Sequence, residues 1–314
     1  MSIVAIDIGG TKISGAVFSR DGELVIRHKY LLENRTGKEA GMFVSELILD
    51  LISEAVVDRD SMVAGISVPG IVYPGTGRIW APNIPGWEQF PLREMIAEKT
   101  GIPEACIHIG SDRTCSILGE VWKGAARGSS DALFIAVGTG IGVGIMVNGQ
   151  ILHGISDIAG AAGWMALEPP YHEKFDGCGC FEYYASGTGI GNRAVDYLKE
   201  HPEYQGPMRD KKLADLSAYD VFQHYSEGDP VSLGVIAKAI EQWGMASANL
   251  VSLLNPHKVV WGGGIFGPAL QFLPDIYSEA LRWAQPLSIR QTEFVASELG
   301  EDAALYGAAK LAQS

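Results

Sequence analysis

Asp7 closes a short apolar run, Ile3-Val4-Ala5-Ile6, and is followed by Ile8, Gly9, Gly10, Thr11 and Lys12. A carboxylate in that place suits a divalent cation, held directly or through water. The two glycines let backbone N–H groups come close to an anion. Thr11 and Lys12 add a hydroxyl and a positive charge for phosphate oxygens. The β-branched run resumes at residues 13–18, so the glycines sit in a hairpin between two strands. No G-x-x-x-x-G-K-[ST] pattern follows, which excludes a Walker A loop. Taken alone, the stretch also fits an ordinary hairpin with a surface lysine. A second stretch, 134–147, repeats the order of strand, glycine turn (Gly138-Thr139-Gly140) and strand. Two such hairpins, each opening one half of the chain, predict two similar domains facing one nucleotide. Asp112 stands at the end of a third apolar run, 106–109. Ligands of open α/β sheets bind at that edge, and a helix N-cap ahead of Thr114 is the structural alternative.

The elements that must hold these groups follow from periodicity. Helical spacing of Met42, Phe43, Leu47, Ile48, Leu51, Ile52, Ala55 and Val56 predicts a helix over 38–57. Further helices are expected over 92–100 (ended by Gly101), 114–124 and 219–225. A long one over 231–254 has Asp229 as its N-cap and Pro230 at its first position. Strands are expected over 23–27, 62–68, 150–152, 258–261 and 294–296, and a small-residue helix over 303–312. The order is α/β. A small, Gly/Ser-rich seam at 125–130 separates the halves. The loop 81–87, stiffened by Pro82 and Pro85, carries Asn83 and Trp87. It reads equally as a small-molecule contact or as a turn with a core tryptophan.

With 314 residues the chain has room for two domains, and 47% hydrophobic residues make it globular. A net charge of −13 lacks the basic footprint of a nucleic-acid binder. No apolar run is long enough to span a membrane, the N-terminus runs straight into a strand without a signal peptide, and four cysteines do not make a disulfide framework. A cytoplasmic protein is expected.

The motifs together resemble the ROK family of sugar kinases (repressor, open reading frame, kinase), within the actin-like ATPase superfamily. The resemblance spans nearly the whole chain. Besides the two hairpins and Asp112 it rests on Val68-Pro69-Gly70, Pro82 to Trp87, Cys180-Phe181-Glu182 through Gly187, Asn255-Pro256, Gly262-Gly263-Gly264, and Ala303 through Ala308. It implies two RNase H-like domains hinged over a cleft. The N-terminal one would span 1–124 and be completed by 303–314; the nucleotide-binding one would span 125–302. Mg2+ and ATP are implied, with Asp7 holding Mg2+ through water. Gly9, Gly10, Thr11 and Lys12, with Gly138, Thr139 and Gly140, would line the phosphates, and Gly262 to Gly264 the adenosine. Asp112 matches the family's general base. Gly70, Asn83, Ser111, Trp164 and Glu182 would meet the sugar, although Glu182 also reads as a helix-start acid. A homodimer is implied.

Three departures from the family pattern stand out. Ser111 replaces the usual Asn before the catalytic Asp, and Arg113 follows where a small residue is usual. That guanidinium serves an anionic substrate or pairs with a surface acid, the latter being favoured. The usual Glu-x-Gly-His segment reads Ala161-Ala162-Gly163-Trp164, which removes two polar contacts at the C1–C2 end of the hexose and points to altered specificity there. The family's structural zinc uses that His and three cysteines. Here only Cys178 and Cys180 stand locally, with His172 nearby in sequence as a candidate third ligand, and the expectation is no zinc and a loop held by packing. The reading is ATP-dependent phosphorylation of a primary hydroxyl of a hexose or hexose derivative. The alternative is a catalytically weak sugar-binding or regulatory protein. A family-type repressor lacks support, since no helix-turn-helix precedes Asp7.

Overall fold

A computed structural model describes residues 2–58 and 61–313. The apolar runs around the first glycine turn become β1 (Ser2–Ile8) and β2 (Lys12–Phe18), and β3 (Leu24–Leu31) completes a meander. Then come α1 (Gly37–Glu54), β4 (Met62–Val68), the small hairpin β5 (Ile71–Val72) and β6 (Ile79–Trp80), α2 (Leu92–Thr100), β7 (Ile107–Ser111) and α3 (Asp112–Lys123). Their sheet has the order β3-β2-β1-β4-β7. β1 is antiparallel to β2 and parallel to β4, and β4 is parallel to β7. The central strands bury nearly every side chain, as parallel strands covered on both faces do.

The second half repeats the plan. β8 (Ala132–Val137), β9 (Ile141–Val147) and β10 (Gln150–Ile151) form the meander. A helical stretch follows: α4 (Cys180–Ala185), α5 (Gly187–Glu200), α6 (Ala218–Tyr225) and α7 (Pro230–Leu254). β11 (Lys258–Gly262), α8 (Leu273–Trp283), α9 (Pro286–Gln291) and β12 (Glu293–Ala296) complete the second sheet, ordered β10-β9-β8-β11-β12. The chain ends in α10 (Ala303–Leu311), which packs back on β1, β4 and α3. That approach needs small residues. A Cβ on Gly65, Gly119 or Gly307 would overlap a backbone carbonyl of α10 or α3.

Most expected elements are present, with shifted ends. β3 runs on to Leu31 because its pairing with β2 continues as far as Lys12 opposite Leu31. α1 stops at Glu54, since Val56 adopts φ +51°. Asp229 caps α7 through Ser232 N–H (2.9 Å), and Gly101 ends α2 in the left-handed region. Helices α4, α5, α8 and α9 were not foreseen. Met1 and Ser314, the outer ends of the expected N-terminal unit, lie outside the described residues. Among the described residues, no helix is long and apolar enough to cross a membrane.

Candidate active site

Strand register gathers the acids. Asp7 lies opposite Ser67 of β4, and Val68 lies opposite Ser111 of β7, so the carboxyl ends of three neighbouring parallel strands line up. Two strand spacings, about 10 Å, separate the outer pair. Burial pushes the Asp7 carboxyl up to about 7; Ser67 nearby favours the charged form, while Asp112 and Asp302 oppose it. The Ser67 hydroxyl is buried with no hydrogen-bond partner. A desolvated carboxylate among acids, beside an orphaned hydroxyl, fits a divalent cation. The hairpin after Asp7 closes by Gly9 N–H donating to the Lys12 carbonyl (2.8 Å). Thr11 and Lys12 are exposed.

Asp112 is the first residue of α3. Its Oδ1 accepts from Arg113 N–H (2.8 Å). Burial raises its pKa, the Arg113 guanidinium and the backbone lower it, and the Asp157 charge raises it again. The helix cap is Ser111, not Asp112: the Ser111 hydroxyl accepts from Thr114 N–H (3.3 Å) and donates to Thr114 Oγ1 (3.1 Å). The Ser111 side chain, expected at the sugar, is buried and engaged in this cap. Among the described residues, Arg113 pairs with no surface acid. Its Nη2 donates to the Asp157 carbonyl (3.1 Å), and its stem lies over Gly142. The Asp157 carboxylate in turn accepts from Val72 N–H of β5 (3.2 Å) and meets His153 Nδ1 (2.7 Å). Asp157 thus fastens the loop after β10 to the first half, next to Asp112.

At the second hairpin, Gly138 N–H donates to the Gly140 carbonyl (2.9 Å), and Gly187 N–H, the first residue of α5, donates to the Gly138 carbonyl (2.7 Å). Ser186 caps α5 through Gly189 N–H (2.9 Å). A capped 14-residue helix thus points its positive end at the turn. Gly263, at φ +97°, presses on Val137, and Gly264 lies beside Gly138. The expected phosphate and adenosine glycines therefore meet. Glu182, on α4, is half-buried; its Oε2 accepts from Ile141 N–H (2.6 Å), and burial raises its pKa.

The loop 81–87 divides its roles. Trp87 is core: it stacks on Phe90 (centroids 4.7 Å apart) and donates its indole N–H to the Gly37 carbonyl (2.9 Å). Asn83 is exposed, and a cleft of about 400 Å3 lined by Gly10, Thr11, Asn83, Pro85 and residues 31–36 joins this loop to the first hairpin. Gly70 packs so closely on the Trp80 carbonyl that no side chain fits. Trp164 is 59% exposed and lines a separate apolar cavity. Cys178, Cys180 and His172 do not converge: among the described residues, no group of three His, Cys, Asp or Glu is placed to hold a metal. Phe175 holds this loop by packing against Tyr171, Tyr183 and Tyr184.

Three site residues escaped the sequence reading. Asp302, paired with Arg27, adds a carboxylate near Asp7. Asp157 had no local signal. Gly187 had one in Ser186-Gly187-Thr188-Gly189, a cap followed by small residues.

This arrangement has counterparts. The ROK family model matches residues 3–314. The glucokinase of Halalkalibacterium halodurans is 34% identical, over 97% of this chain and 92% of its own. The xylose repressor of Caldicellulosiruptor bescii is 27% identical, over 94% of this chain and 71% of the repressor. A solved ROK family glucokinase from Streptomyces griseus, in complex with glucose and AMPPNP, matches with a TM-score of 0.78 at 26% identity, covering 100% of this chain and 99% of that one. The two-domain, actin-like ATPase architecture is the expected one, and the chain belongs to the ROK family.

Proposed function

We propose that the chain is an ATP-dependent carbohydrate kinase that phosphorylates a primary hydroxyl of a hexose or hexose derivative, with Asp112 as general base. The observation that carries this reading is Asp112 itself. It is a carboxylate of raised pKa at the start of α3, on the strand edge that also presents Asp7 and the first glycine turn. A sugar hydroxyl is a poor nucleophile near neutral pH. Asp112 takes its proton as the oxygen bonds to the γ-phosphorus of ATP, and the bond from that phosphorus to ADP breaks. Gly9 to Lys12 and Gly138 to Gly140 line the phosphates, with the Lys12 charge and the N–H groups of Gly10, Thr11, Thr139 and Gly140 turned to them and the positive end of α5 behind the second turn. Gly262 to Gly264 lie along the adenosine. Asn83 and Glu182 bind sugar hydroxyls. Asp7 would hold Mg2+ through water; when bound, the ion neutralises phosphate charge. The units that close on the substrates are 1–124 with 303–314, and 125–302. A cytoplasmic homodimer goes with this reading.

A second reading, sugar binding without efficient turnover, draws on Ala161 and on Ser111 being spent as a cap, which leave the sugar site short of polar groups. ADP release coupled to a reporter, over a panel of hexoses and their 6-deoxy counterparts, separates the two. Turnover of a hexose but not of its 6-deoxy form supports the kinase. Saturable sugar binding with no turnover on any member favours the second reading and overturns the first.

A further inference from the structure

Arg113 directly follows Asp112, and its side chain crosses from the first half of the chain to the second. Its stem runs over Gly142 of β9, where a Cβ would lie 2.9 Å from Cδ and 3.0 Å from Cγ. Two residues on, a Cβ at Gly144 would overlap the Arg113 carbonyl. Residues two apart share a face of a strand. Glycine weakens a strand and marks the close approach of other atoms. β9 therefore carries two glycines on the face that receives Arg113. The guanidinium ends on Asp157, where Nη2 donates to the main-chain carbonyl (3.1 Å).

Asp157 is held for that contact from several sides. Its backbone adopts φ +57°, which a residue with a side chain takes at a cost. Its carboxylate is buried; one oxygen accepts from Val72 N–H of β5 (3.2 Å), and the other meets His153 Nδ1 (2.7 Å). The loop is in turn fixed to β9, since Val143 N–H donates to the Gly160 carbonyl (2.8 Å) and Ala159 N–H to the His153 carbonyl (3.1 Å). Two elements of the first half, β5 and the start of α3, thus close on one residue of the second. The α3 contact adjoins Asp112. The main-chain N–H of Arg113 donates to Asp112 Oδ1 (2.8 Å), while its side chain grips the other half. The same guanidinium favours the charged form of the Asp112 carboxyl. The stem of Arg113 crosses β9 only two residues beyond Gly140, the last glycine of the second turn.

We propose that Arg113 is a positioning residue: by clasping Asp157 across Gly142, it sets where Asp112 stands relative to the second glycine turn. The inference rests on the kinase reading and deepens it. Its test measures sugar kcat and KM, calorimetric sugar binding without nucleotide, and amide hydrogen exchange of the free protein over residues 153–160. The variants are Arg113→Met, which keeps the stem and loses the guanidinium, Arg113→Lys, which keeps a charged donor, and Gly142→Ala, which displaces the stem. In Arg113→Met, kcat falls about ten- to hundredfold with sugar affinity within about twofold, the pattern of a misplaced reacting group. Exchange over 153–160 speeds up about tenfold, as for the loss of one charge-assisted hydrogen bond. Arg113→Lys recovers most of both, and Gly142→Ala lowers kcat without weakening sugar binding. Unchanged exchange in Arg113→Met shows that there is no clasp. Faster exchange with unchanged kcat leaves a structural tie and overturns the positioning role. A loss carried by sugar affinity overturns it as well, because Arg113 then touches the substrate. If Arg113→Met does not fold, Gly142→Ala decides, and a wild-type kcat there overturns the proposal. Absence of all turnover in the wild type overturns the kinase reading, while exchange still decides the clasp.

Discussion

The two sheets share one strand order and place different chemistry at the same turn. In the first, Asp7 stands one residue before the end of β1, where β8 has Ala136, and Gly9 closes the turn on the Lys12 carbonyl. In the second, β8 ends on Val137, an apolar residue, and the turn carbonyl of Gly138 is taken by the start of α5. One hairpin brings side-chain charge and the other brings backbone dipoles. On the proposed reading, a phosphate tail between them would meet a site for its counter-ion on one side and the positive end of α5 on the other. A repeated topology thus does not repeat a function; the side chain at the strand end decides it.

The largest break in this contrast comes from Asp7→Asn. It removes the charge but not the shape, and kcat/KM for ATP should fall at least about a hundredfold in steady-state kinetics. The wild type carries a matching pH signature. Burial holds the free Asp7 carboxyl at about 7, and a cation binds only the charged form. The Mg2+ needed for half-maximal activity should therefore rise about tenfold per pH unit below 7 and level off above it. A requirement that is flat from pH 6 to pH 8 contradicts the role given to Asp7.

A glycine pair sharpens the comparison. At Gly140 an added Cβ would lie 2.6 Å from Glu182 Oε2, whereas at Gly10 it would lie 3.4 Å from the Asn83 Cβ, an ordinary contact. Gly140→Ala pushes Glu182 off its place, and a shift near 1 Å costs about a hundredfold where geometry governs rate. Gly10→Ala should stay within about threefold. Equal losses in sugar kcat/KM would show that the hairpins are not distinguished in this way.

The smallest effect concerns Asp157. Its charge raises the pKa of Asp112, so Asp157→Asn should move the acid limb of the sugar kcat/KM profile to lower pH. An unmoved limb would mean that the Asp157 charge is not felt at the base.

How legible the site was depends on how local its determinants are. Gly9 to Lys12 and Gly138 to Gly140 declared themselves because the strand, turn and strand of a hairpin are adjacent in sequence. Asp302 did not, because it reaches Asp7 only when α10 returns from the far end of the chain to β1. The cap of α3 reads from the sequence as readily at Asp112 as at Ser111, and only the hydroxyl's partners show that Ser111 takes it. Arg113 points at a carbonyl that no spacing rule would select. α8 kept a readable apolar pair, Ile276 and Ala280, but Pro274 in its first turn masks the start of the pattern. For the fold, the apolar periodicities sufficed for both sheets and for α1, α2 and α7.

The central claim is that Asp112 accepts the proton of the attacking hydroxyl. The most direct test is kcat of Asp112→Asn, with sugar affinity measured alongside it. The account predicts a fall in kcat of about 10²–10⁴-fold with sugar binding within a few-fold of wild type. Turnover near the wild-type rate, in a variant that binds sugar normally, would contradict it.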